Sequence, residues 1–167
     1  MSLPINQRMM AAIRHRLQPH LGTVRFAISL DHAIGEALRN LRAPDFILAP
    51  SQLSEEATTS SRGGQAGLTV DLVMLLPRKG ARVSEDLETL DFMQEIEAVN
   101  QALQSDAGTL YDKDTGEVLS SGLLDLGTVD SGVNIAELEG AEHVNLVVLR
   151  ASYGSVDFDL ETREIFQ

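Results

Sequence analysis

No cysteine occurs among the 167 residues. That excludes a disulfide framework, a thiolate metal site and a cysteine nucleophile, and it fits a reducing compartment. Tryptophan is missing as well, and aromatic residues make up only 4%, so a core has to be built from Leu, Val, Ile and Met. No apolar run reaches the roughly 18 residues needed for a membrane span, and the first residues lack the apolar segment of a secretion signal. A soluble cytoplasmic protein is therefore expected. Nucleophile and phosphate motifs are also lacking: there is no GxSxG, no SxxK and no HExxH, and RGGQAG has neither a Walker lysine nor GxGxxG spacing. Basic charge is scarce beyond residue 42, where seven Lys and Arg face 23 Asp and Glu for a balance of −16. An acidic body of this kind repels phosphate backbones, which argues against a nucleic-acid partner.

The first 42 residues differ. Six arginines (8, 14, 16, 25, 39 and 42) against Asp31 and Glu36 leave +4, which with −16 gives the net charge of −12. The apolar fraction of 43% suffices for a sizeable core, and the length suits one domain over residues 1–167.

Apolar periodicity places the elements. Ile5, Met9, Ile13 and Leu17 recur at steps of four in PINQRMMAAIRHRLQ, which predicts an amphipathic helix ended by Pro19 and Gly22. In TVRFAISLDHAIGEALRNL a short strand is followed by a helix with Asp31 as N-cap and Ile34 and Leu38 on one face. APDFILAPSQL, bounded by prolines, reads as a strand near a sheet edge. The polar stretch that follows, near 51–66, reads as a loop or extended arm closing in a Gly-rich turn. LTVDLVMLLP is a buried strand. Leu87, Leu90, Met93, Ile96, Val99 and Leu103 mark a helix over 84–104 with Ser84 as its cap and acids in its first turn. Short strands follow: TLY with GEVLS, then HVNLVVLRASY, then SVDFDLETREIF. This order predicts an α+β fold, one mostly antiparallel sheet with two or three helices packed mainly on one face.

Within the first of those strand pairs, DKDTGE (112–117) has the look of a calcium loop, with Asp112 and Asp114 at alternate positions. The ligand pattern fails beyond them, because the fifth, sixth and twelfth positions are Gly116, Glu117 and Leu123. A hairpin turn with Gly116 at positive φ is expected instead. His15, His20, His32 and His143 lack metal-ligand spacing; Glu139, Glu142 and His143 read as a solvated loop, and Asp157 and Asp159 as the wet side of a strand. No catalytic, cofactor-binding or metal-ligating residue is assigned, and no cofactor is expected. Arg62, Arg78, Lys79 and Arg82 form the one basic cluster of the acidic body, beside the 68–76 strand, and are candidates for subunit contacts in a head-to-tail arrangement with the basic N-terminal helix.

The layout as a whole resembles the tail terminator and neck (tail-completion) proteins of tailed bacteriophages. The resemblance lies in the helix MMAAIRHRLQPHLG, the strand APDFILAP, the strand GLTVDLVMLLP followed at once by the helix DLETLDFMQEIEAVNQAL, and the late segment ELEGAEHVNLVVLRASYG. It spans roughly residues 5 to 153. The segment TVRFAISLDHAIGEALRNL and the region 109–134 depart from it, and no residue role carries over. The resemblance implies a non-enzymatic, ring-forming homo-oligomer, with six as the expected number of subunits. Such a ring caps the tail tube and meets the head connector, first in the bacterial cytoplasm and then in the virion. The alternatives are a small cytoplasmic hydrolase using carboxylates and His143, and an acidic adaptor module.

Overall fold

The computed structural model describes residues 4–57, 63–78 and 85–165. Its first helix, α1 (Ile5–Leu21), buries the four residues spaced by fours, together with Ala12. It continues through Pro19, because a proline in the last turn removes only one main-chain hydrogen bond. Gly22 then ends it with φ +78° and an N–H donated to the Gln18 carbonyl at 2.8 Å. A two-residue strand, β1 (Arg25–Phe26), precedes α2 (Leu30–Asn40). The cap of α2 is Ser29 rather than Asp31: the Ser29 hydroxyl accepts the His32 N–H at 3.2 Å, and Asp31 takes a place in the first turn.

Two long strands, β2 (Asp45–Ala57) and β3 (Gly63–Pro77), form an antiparallel hairpin. The stretch read as a polar loop or arm is thus paired strand over 51–57 and 63–66, and residues 58–62 lie outside the described residues. Helix α3 (Glu85–Gln104) follows, then a small ribbon of β4 (Leu110–Tyr111) and β5 (Val118–Ser120). Strand β6 (Leu123–Val129) leads to β7 (Val144–Asp159). The two closing strands read from the sequence are therefore one. Between Ala66↔Val156 and Leu68↔Tyr153 the ladder takes three steps on β7 for two on β3, and such a bulge absorbs an extra residue without ending a strand.

The main sheet has the order β1-β2-β3-β7-β6, antiparallel except for the parallel β1–β2 pair. The α+β class is as expected, with the β4–β5 ribbon standing apart as a second small sheet. Side chains alternate across the sheet and sort onto its two faces. Leu48, Leu72, Met74 and Leu149 face α1 and α3, whereas Ile47, Ala49, Val73 and Val148 face α2. Both sides of β3 are therefore covered, which explains why its apolar run shows no alternation. Of the three α-helices among the described residues, α1 and α3 share one face, and α2 takes the other.

Candidate interaction surfaces

The 112–117 turn adopts the hairpin geometry expected of it. Gly116 has φ +76°, its N–H donates to the Asp112 carbonyl at 2.9 Å, and the Asp112 N–H donates to the Glu117 carbonyl at 2.7 Å. Asp112 organises the turn. Its Oδ1 accepts the Asp114 and Thr115 N–H groups at 2.8 and 3.0 Å, and its Oδ2 accepts Arg8 Nε of α1 at 2.6 Å. Arg8 also reaches Glu117 at 3.3 Å. The Arg8 and Asp112 side chains are only 10% and 9% exposed. Burial pushes the Asp112 carboxyl up. The Arg8 hydrogen bond, the Thr115 and Asp114 N–H donors and the Arg8 charge outweigh it and hold the group down at about 2. This ion pair joins residues 104 positions apart, and no local motif announces it.

Between α1 and this turn lies a cleft of about 330 Å³, lined by Arg8, Ala11, Asp112, Lys113 and, from the C-terminal end, Arg163 and Glu164. Charges of both signs meet there, already joined in part by the Arg8 pairs, and its lining contains no histidine. His15, His20, His32 and His143 are exposed. His143 ends a single turn of 3-10 helix, and its carbonyl accepts the Arg78 N–H at 2.7 Å. Among the described residues, no three His, Asp or Glu side chains come together as a metal site would need.

A second ion pair lies on the α2 side of the sheet. Asp71 is fully buried and receives Arg150 Nε at 2.8 Å and Nη2 at 3.2 Å from the directly opposite position of β7. The fork geometry is that of a bidentate arginine–carboxylate pair, and hydrogen bonding to Asp71 raises the guanidinium pKa. A signal for it exists in the sequence: Asp71 and Arg150 each interrupt an apolar strand, and pairing those strands brings the two charges together. Under α1, Tyr153 is buried, and burial pushes its hydroxyl to about 12 against the pull of Arg16. Arg16 itself spans from α1 to the carbonyls of Ser105 and Thr109.

Of the basic cluster, Arg62, Lys79 and Arg82 lie outside the described residues. Arg78 is exposed just after β3. The larger exposed feature is one that the helical spacing concealed. In α3, Val99, Ala102 and Leu103 are buried and Phe92 and Ile96 half-buried, but Leu87, Leu90 and Met93 are 57%, 62% and 60% exposed. The expected apolar stripe from 87 to 99 consists of steps of three. Each such step falls about 60° short of a full turn, so four in a row rotate about 240° around the helix. One end of that spiral meets the core and the other faces outward. Over the same 20 residues α3 carries six acids (Glu85, Asp86, Glu88, Asp91, Glu95 and Glu97) and no Lys or Arg.

A second exposed apolar group sits at the β1 edge. Phe26 and Ile28 are 43% and 75% exposed, and the Arg14 guanidinium lies 3.9 Å over the Phe26 ring. Arg25 pairs with Asp45 at 2.7 Å and Glu36 at 3.7 Å.

No helix among the described residues is long and apolar enough to cross a membrane. No family model matches this chain, and no curated protein matches it in sequence.

Proposed function

We propose that this protein is a structural assembly subunit that works by self-association in a ring, in the manner of a phage or prophage tail terminator or neck protein. The observation that carries the reading is the exposed apolar end of α3, Leu87, Leu90 and Met93, on a wholly acidic helix. Exposed apolar side chains gathered on one segment of a helix suit a protein interaction surface. The order α1, β2–β3 hairpin, α3 and late β7 beside β3 supports the reading. In this reading the protein performs no chemistry. Its partners are copies of itself, a tail tube and a head connector, and it acts in the bacterial cytoplasm and then in the virion. Negative-stain electron microscopy over a concentration series tests it. Closed rings with a central hole, six-fold by expectation, support the reading; uniform monomers across the range refute ring formation.

A further inference from the structure

We propose that the outer edge of β6, with the cleft beside it, takes an extended, apolar and basic peptide segment of a partner protein as an added strand. The inference concerns a different surface from the α3 face and does not depend on ring formation.

Strand β6 ends the main sheet, and no strand among the described residues pairs with its outer side. Which of its main-chain groups face outward follows from the register. The Ala27 N–H donates to the Leu48 carbonyl at 3.0 Å, so Leu48 turns toward β1 and away from β3. Alternation across the antiparallel pairs Leu48↔Leu72, Leu72↔Leu149 and Leu149↔Thr128 then turns Thr128, and with it Leu126, away from β7. Outward N–H and C=O groups on an edge are a template for another strand. The edge is closed only locally: Asp125 Oδ1 accepts the Leu126 N–H at 3.0 Å, and Asp125 and Thr128 are both exposed.

The cleft supplies selectivity. It holds about 330 Å³ between β6 and the C-terminal end of α3, lined by Gln104, Ala107, Leu123, Leu124, Asp125 and Leu126. Leu124 is 75% exposed there. The wall opposite β6 is fixed. Asp106, Ala107 and Gly108 have φ +57°, +56° and +76°, a conformation that costs a residue with a β-carbon about 1 kcal/mol. Arg16 holds this turn by donating to the Ser105 and Thr109 carbonyls, and the Tyr111 hydroxyl donates to Asp106 at 2.9 Å. A strand laid along β6 sends every second side chain to the α3 side of the sheet, where an apolar one meets Leu124, Leu126 and Ala107. No Lys or Arg lines the cleft. When a peptide carbonyl takes over the Leu126 N–H, the Asp125 carboxylate is released to pair with a basic side chain of the peptide. Affinity then comes from main-chain bonds and selectivity from the cleft, as in other cases of strand addition.

Selection from a random-peptide library against the parent chain, followed by fluorescence anisotropy with the best peptide, provides the test. Selected peptides should carry apolar residues at alternate positions and at least one Lys or Arg. Thr128→Pro removes the outward N–H and leaves the β7 ladder intact, so it should weaken binding about tenfold or more. Asp125→Asn keeps an oxygen for the Leu126 N–H and removes the charge; it should weaken binding by roughly threefold to tenfold, and less at high salt. Circular dichroism checks the fold of both variants. Should Thr128→Pro not fold, hydrogen exchange of the parent with and without peptide reads the same contact, with the Thr128 amide expected to slow in the complex. A library that yields no binder overturns the proposal, as does a peptide that leaves Thr128 exchange unchanged or binds folded Thr128→Pro as tightly as the parent. Slowing of the Thr128 amide on concentrating the parent alone makes the occupant a second copy and overturns the separate partner. Rings without peptide binding overturn this inference and leave the assembly reading standing; peptide binding by a chain that stays monomeric does the reverse.

Discussion

Replacing Asp112 by Asn tests whether the Arg8–Asp112 contact is a structural ion pair that clamps α1 to the β4–β5 turn. The substitution keeps the side-chain volume, and the amide oxygen can still accept the Asp114 and Thr115 N–H groups that Oδ1 accepts at 2.8 and 3.0 Å. What is lost is the negative charge facing Arg8 at 2.6 Å, which leaves a largely buried guanidinium with Glu117 at 3.3 Å as its remaining carboxylate. The carboxyl is held at about 2 against an ordinary value of 3.8, and each tenfold loss of proton affinity corresponds to about 1.4 kcal/mol of preference for the charged form. The variant should therefore lose about 2 kcal/mol at neutral pH, or roughly 4–8 °C in Tm for a chain of this size.

The pH dependence separates this account from simple loss of packing. Because the folded value lies below the unfolded one, the stabilisation is fully present above about pH 4 and disappears as pH falls through about 2. In urea titrations at a series of pH values, the gap between parent and Asp112→Asn should hold at about 2 kcal/mol down to roughly pH 4 and close toward pH 2. A gap that stays constant over that range would refute the ion-pair account, as would a variant within about 0.5 kcal/mol of the parent at pH 7.

The Asp71–Arg150 pair should behave as a unit. Arg150→Met leaves the fully buried Asp71 carboxylate without its partner and should cost about 3 kcal/mol. The double variant Asp71→Val, Arg150→Met should recover part of that loss; additivity of the two single changes within about 0.5 kcal/mol in a double-mutant cycle would show that they are not coupled. Glycine substitutions should divide by backbone. A Cβ on Gly108, which has φ +76°, would lie 2.5 Å from Leu123 Cβ and 2.7 Å from Leu123 N, so Gly108→Ala should destabilise by at least about 2 kcal/mol. Gly35, inside α2 with open space around it, should instead gain up to about 1 kcal/mol on change to Ala; equal effects at the two sites in thermal melts would contradict the geometry.

What could be read in the sequence was what is local. Steps of four in α1 keep one helical face, and Ile5, Met9, Ile13 and Leu17 all reach the core. The glycine in DKDTGE fixed the turn type, because a positive φ at that position suits little else, and Gly116 has it. The two closing strands looked separate because Gly154 and Ser155 interrupt the apolar pattern, and a bulge passes through such a break without a turn. Partnership across the fold left weaker traces or none. Arg8 sits among several arginines of α1, and nothing in its neighbours selects it over Arg14 or Arg16, yet it is the one that reaches Asp112.

Helix α3 shows where the reading of pattern as core gives out, and why that matters for function. A run of apolar residues at steps of three satisfies a search for helical spacing while winding around the helix, so its length exceeds what one buried face can hold. The residues left largely outside, Leu87, Leu90 and Met93, present apolar area to water, which is unfavourable in proportion to that area. The acids over the same segment keep like helices apart.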